Sequence, residues 1–237
     1  MNNRYDVVVF GAHPDDVELG AGGTVAKMVS QGLKVVMVDL TQGELGTRGT
    51  PETRHQEATS AAEILGVEER INLKLRDGFF QCDEASLLEV VKVIRRYRPR
   101  IVIANAIEDR HPDHGKGAEL VIQASFLSGL VKCVTGEADE VHRPDAIYHY
   151  IQDYTRVPDV VVDISGFEDI KMKSILAYGS QFFDKNSSEP ETPISSPEFM
   201  EHIKGRHASM GRPCGFTSGE GFEVTRPVGV SSLSDLL

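Results

Sequence analysis

The segment Tyr5-Asp6-Val7-Val8-Val9-Phe10-Gly11-Ala12-His13-Pro14-Asp15-Asp16 joins an apolar run to three chemically capable side chains. Residues 5–11 have the length, the β-branched content and the terminal Gly of a strand buried in a parallel sheet. One imidazole and two carboxylates then follow within four residues. Pro14 fixes its own φ and biases His13 away from helical geometry, so the chain cannot run straight into a helix. Val17-Glu18-Leu19-Gly20-Ala21-Gly22-Gly23-Thr24 leads into a helical pattern through Ala26, Met28, Val29 and Leu33. Strand, rigid polar turn and helix make half of a βαβ unit, and ligands of open α/β sheets sit at the carboxyl ends of the strands. A simpler role, helix capping by Asp15 or Asp16, uses one carboxylate and leaves His13 and the second Asp without a task.

The pattern recurs outward. Lys34–Thr41 reads as a second buried strand, followed by the polar loop Gln42–Thr50. Thr50 and Pro51 mark the N-cap and first turn of a helix that carries Ala58, Ala61, Ala62, Ile64 and Leu65 as far as Gly66. Arg70–Leu75 is a third strand, closed by Asp77-Gly78. Glu84–Tyr97 is a helix with Leu87, Leu88, Val91 and Ile94 at helical spacing, and Arg100–Asn105 is a fourth strand. This alternation predicts an α/β protein with a Rossmann-like, doubly wound, mostly parallel sheet, helices on both faces and right-handed crossovers. His-Pro-Asp-Asp stands where a dinucleotide-binding Gly-x-Gly-x-x-Gly would be, which counts against a nicotinamide enzyme. Past a helix from about His114 to Phe126 the pattern loosens. Strands are expected at Ala146–Ile151 and Asp159–Asp163, and helices at Gly166–Ser180 and Pro197–Met210. Gly- and Pro-bearing coil follows, so the C-terminal part is expected to be irregular. Asn186–Pro197, rich in Ser, Pro and Glu, reads as a mobile surface loop, either a lid or an ordinary connection.

The 237 residues suit one large α/β domain or one domain with a small extension, and 40% hydrophobic with 26% charged residues is ordinary for a globular protein. The formal charge of -11 argues against general affinity for nucleic acid and leaves any anionic substrate to locally placed arginines. Cys82, Cys133 and Cys214 are odd in number, widely spaced and form no Cys-x-x-Cys pair, which fits a reducing compartment. MNNRYDVVVF has no long apolar core with a cleavage site, and no apolar run approaches membrane-spanning length. The expectation is a cytoplasmic protein without a membrane or nucleic-acid partner.

A second His-Pro-Asp follows the fourth strand, in Glu108-Asp109-Arg110-His111-Pro112-Asp113-His114-Gly115-Lys116. Loops after parallel strands open on one sheet edge, so His13, Asp15 and Asp16 can converge with His111, Asp113 and His114. Imidazole plus carboxylate suits Zn²⁺, and a catalytic zinc keeps three protein ligands and one open position.

AHPDD after the first strand and HPDH about a hundred residues later resemble the two signatures of the PIG-L/LmbE-like zinc deacetylases, which remove N-acetyl groups from glucosamine derivatives. The resemblance continues through Thr41-Gln42-Gly43-Glu44, Arg54, Glu57 and Ser180-Gln181, and implies a single domain over residues 1–237. The GTRGTPETRHQEA and DRHPDHGKGAEL segments look most like the bacillithiol branch, which deacetylates N-acetylglucosaminyl malate; the alternatives are a deacetylase of another N-acetylated amino sugar such as N-acetylglucosamine or chitobiose, or a non-catalytic zinc-containing sugar-binding protein. The resemblance implies that His13, Asp16 and His114 ligate one Zn²⁺ per chain, with other divalent metals as alternatives. Asp15 would be the general base, and exchange of roles between Asp15 and Asp16 is the alternative. His111 and Asp113 would form the supporting catalytic pair, with Asp113 fixing the tautomer of His111 and keeping it cationic.

Arg54 and Arg110 are either contacts to a sugar hydroxyl or malate carboxylate, or surface arginines paired with Glu57 and Asp109. Arg48 and Arg143 stand in reserve, and Glu44 either supports the metal or caps. The implied partners are a small amino-sugar substrate and further copies of the chain, since members of the branch form homo-oligomers, hexamers among them.

Overall fold

The computed structural model describes residues 4–137, 140–182 and 189–236. Among them a seven-stranded sheet runs in the order β3-β2-β1-β4-β5-β7-β6. β1 (Val7–Gly11) lies between β2 (Val35–Thr41) and β4 (Ile101–Ala104), parallel to both, with Val7 opposite Val35 and Ile101. β3 (Glu69–Leu75) continues the parallel sheet beside β2, and β5 (Ala146–Tyr150) continues it beside β4. The expected mostly parallel α/β sheet is therefore present, and the carboxyl ends of β1 to β5 open on a single edge.

Alternation along the strands explains the layers. Val8, Phe10, Val36, Val38 and Leu40 point to one face, where α3 (Glu84–Tyr97) and α4 (Pro112–Leu127) cover them. Val7, Val9, Val35 and Met37 point to the other, against α1 (Asp16–Ser30) and α2 (Pro51–Leu65). Gly20 allows α1 to press on the sheet, because a Cβ there would sit 2.1 Å from Tyr150 Cδ2. The Tyr150 hydroxyl in turn donates to the Phe10 carbonyl at 3.1 Å, so the helix that follows His13 is held against the end of β1.

The C-terminal part departs from expectation. Residues beyond α6 (Pro197–Gly211) were expected as coil, yet Gly219–Val224 forms β7, antiparallel to both β5 and β6 (Val160–Asp163). Its sequence GEGFEV hides the strand because the inward residue is a charge. Glu220 is buried, accepts from Gly23 N and Thr24 N, and meets the fully buried Lys171 of α5 (Glu168–Leu176). α5 is also shorter than the expected 166–180. The expected loop at 186–197 lies partly outside the described residues. Of the remainder, Glu189 accepts from Gly49 N and Arg48 Nε, and Ser195 is buried. No described helix is long and apolar enough to cross a membrane, and all three cysteines are free.

Candidate active site

Asp16, the first residue of α1, has its carboxylate between two imidazoles. Oδ1 lies 3.1 Å from His114 Nε2 and Oδ2 lies 3.4 Å from His13 Nδ1. The outer nitrogen of each ring meets a carboxylate of its own. His13 Nε2 is 3.0 Å from Asp77 Oδ1 and 3.5 Å from Asp113 Oδ2, while His114 Nδ1 is 2.7 Å from Asp109 Oδ2. Burial works against charge on both rings, but these acids hold His13 well above its ordinary range and His114 at about 9. Burial likewise opposes an ionised Asp16, and His114 and His13 hold it well below the usual carboxylate range.

Asp15 is turned elsewhere. It sits at the N-cap position of α1 with φ 110°, and its side chain makes no capping bond. The capping alternative therefore fails, and the carboxylate is free for another partner. That partner is Arg54, buried in α2, whose Nη2 donates to Asp15 Oδ2 at 3.1 Å and also to the Pro14 carbonyl. Burial pushes Asp15 up to about 7, against the pull of Arg54.

His111 caps α4: its Nδ1 accepts from Asp113 N at 3.2 Å. Burial, then the neighbouring His13 and His114, hold this ring below the usual histidine range. The expected pairing of His111 with the Asp113 carboxylate is corrected here. That carboxylate accepts from Gly78 N and Lys116 Nζ and faces His13, because the first turn of α4 aims it toward the loop after β3. His111 is therefore neutral in this arrangement rather than cationic.

The arginines also differ from their expected alternatives. Glu57 accepts from the backbone and hydroxyl of Ser180, leaving Arg54 to Asp15. Arg110 pairs with Asp153, because Asp109 is occupied by His114. Arg48 is buried against the Gln181 and Phe182 carbonyls, and Arg143 packs on Phe126 away from the site. Glu44 accepts from Asp77 N and so braces that carboxylate.

Asp77 and Asp109 were missed as site residues. Asp77-Gly78 reads as a turn, with Gly78 at φ 70°, but it also stands at a third strand end on the same edge as AHPDD. That shared edge was the available signal.

His13, Asp15, Asp16, Arg54, Asp77, Arg110, His111 and His114 line one cavity of about 350 Å³, with Leu45, Gln152, Gln181 and Ile194 among the rest of its wall. Ligand atoms of His13, His111 and His114 lie within 4.8 Å of one another, as do those of His13, Asp77 and Asp113. Imidazole nitrogens with a carboxylate oxygen suit zinc-like dications, and carboxylates on the outer nitrogens are what fix ligating histidines elsewhere. The residues fit a divalent metal.

A family model described as PIG-L, GlcNAc-PI de-N-acetylase, matches residues 8–125. The chain is 31% identical over 192 residues to a diacetylchitobiose deacetylase of Thermococcus kodakarensis, covering 77% of this chain and 72% of that protein. It is 29% identical over 191 residues to a probable N-acetyl-alpha-D-glucosaminyl L-malate deacetylase 2 of Bacillus cereus, covering 75% and 84%. Among solved structures, a conserved protein of Thermus thermophilus superposes with a TM-score of 0.86 at 35% identity, covering 95% of this chain and 97% of that one. The protein belongs to the PIG-L family of de-N-acetylases.

Proposed function

We propose that the chain hydrolyses the acetamide of an N-acetylglucosaminide, with His13, Asp16 and His114 holding one Zn²⁺ or another divalent cation. One observation carries this reading: Asp16 lies between the inner nitrogens of two carboxylate-backed imidazoles, while the adjacent Asp15 turns away to Arg54. A dication held there supplies Lewis acidity and lowers the pKa of bound water.

The protein's own groups do the rest. Asp15, at about 7, is matched to taking a proton from water near neutral pH and returning it to the departing amine. Arg54 aims that carboxylate and limits how far burial raises its pKa. His111 accepts at Nδ1, so the neutral ring carries its proton on Nε2 and can donate to the oxygen that gains charge as the acetyl carbon is attacked. Asp113 serves His13 and the Gly78 loop in this scheme, and reaches His111 through its backbone N–H.

The expected substrate is N-acetyl-alpha-D-glucosaminyl L-malate, on the route to bacillithiol. Arg110, paired with Asp153 and with about half its side chain exposed at the cavity, is the cation that would turn to a malate carboxylate. Diacetylchitobiose is the second reading, supported by the Thermococcus relative. Acetate release from both compounds, measured side by side with the metal-loaded enzyme, tests the choice. A higher kcat/KM on the malate conjugate supports the first reading, the reverse order selects the second, and no acetate from either overturns the proposal. A single-domain homo-oligomer, a hexamer by analogy with the branch, is expected in a reducing cytoplasm, and light scattering checks its mass.

A further inference from the structure

The Asp16 carboxylate is held from behind by two amide side chains from two strand ends. Asn105, one residue past β4, donates from Nδ2 to Oδ2 at 3.0 Å. Gln152, two residues past β5, donates from Nε2 to Oδ1 at 2.8 Å. His13 N adds a third bond, to Oδ2 at 2.9 Å. Each oxygen thus receives one amide side chain.

The other ends of those amides are more telling. Asn105 Oδ1 and Gln152 Oε1 are buried, and among the described residues neither meets a hydrogen-bond donor. A buried carbonyl without a donor destabilises the fold, and native proteins tolerate few of them. Turning either amide over would place its oxygen against a carboxylate, which is worse. An apolar side chain of the same size would fill both positions with no orphaned atom. The fold therefore accepts a local cost at both positions, and the common result is that two N–H groups are aimed at one carboxylate.

We propose that Asn105 and Gln152 are positioning residues of the metal centre, which orient Asp16 between His13 and His114 and set how tightly a dication is held. The inference rests on the reading of Asp16 as a ligand. The terminal torsion of an aspartate is broad, so a carboxylate free of such partners samples many planes. One donor on each oxygen selects a single plane, and the site is then organised before the metal arrives. Partners of this kind change metal affinity by about 10–100-fold.

Gln152→Met keeps the volume and removes the donor and the orphaned oxygen together; Asn105→Leu does the same at the other oxygen. The full-length chain, stripped of metal, is titrated with Zn²⁺ against a chromophoric chelator, with Asp16→Ala alongside. The expected result for Gln152→Met is Zn²⁺ affinity reduced about 10–100-fold, with a metal-free melting temperature equal to or above that of the wild type. A purely structural glutamine would give the opposite pair, a lower melting temperature and unchanged affinity. Wild-type affinity in Gln152→Met overturns the inference, and if that variant does not fold, Asn105→Leu decides by the same criterion. Asp16→Ala separates the two levels. Wild-type affinity there removes the ligand reading, whereas loss of metal there with retention in both amide variants removes this inference alone.

Discussion

His114 Nδ1 and Asp109 Oδ2 lie 2.7 Å apart, which commits the other nitrogen of that ring to Asp16. Asp109 is itself fixed by the backbone N–H groups of Asp153 and Tyr154. An amide in its place can no longer balance the ring in the same way. Asp109→Asn is therefore expected to weaken Zn²⁺ binding by about 10–100-fold, read by competition with a chelator. Unchanged affinity would remove Asp109 from the metal site.

The two neighbouring carboxylates should separate under mutation. Asp15→Asn keeps the shape beside Arg54 and is expected to bind Zn²⁺ normally while losing about 10²–10⁴-fold in kcat. Asp16→Ala should lose the metal itself. Metal analysis of both purified variants checks this, and the reverse pattern would exchange the roles of Asp15 and Asp16.

Arg54 is the cation that draws Asp15 down toward neutrality against the effect of burial. Without it the carboxyl should hold its proton to higher pH. In Arg54→Ala the acidic limb of the kcat/KM profile is expected to move upward by about one to three pH units, the range for loss of an adjacent opposite charge. Arg54→Lys should lie between the two. A limb that stays in place would show that Arg54 acts on something other than Asp15.

Removing the metal should make stability depend on pH in a predictable direction. His114 is held at about 9 in the folded chain, against about 6.5 when unfolded. The folded state thus binds the extra proton. Its stabilisation, on the order of 3 kcal/mol, is complete below about pH 6.5 and lost as pH rises through 9. His13 acts in the same sense. The melting temperature of chelator-treated protein should fall across this window, while that of the zinc-loaded protein should not, because the metal displaces those protons. A flat profile for the stripped protein would contradict the proton assignments.

Much of the site was legible because parallel strands make sequence-distant loops into neighbours. AHPDD and HPDH converge for that reason alone, and their separation in the chain carries no cost. Asp77 stands at an equivalent strand end but was masked by its glycine, since Asp-Gly satisfies the demands of a turn without further explanation. Gln152 and Asn105 carry no ligand signature at all, because a neutral amide becomes informative only when its partner is known. The direction of Arg54 is a rotamer choice on the first turns of a helix, and no periodicity reports it. β7 stayed hidden because its inward position is a glutamate, acceptable only once Lys171 is found across from it.

Asp15 holds φ at 110°, a backbone conformation that glycine adopts without strain and other residues at a cost of about 1–3 kcal/mol. Selection for stability and selection for turnover therefore pull this position toward different amino acids. Replacing the strained acid and its buried cation together, as Asp15→Gly with Arg54→Met, should give a chain that melts at a higher temperature than the wild type and releases no acetate. A lower melting temperature would mean that the buried pair contributes more to the fold than the strained turn costs it.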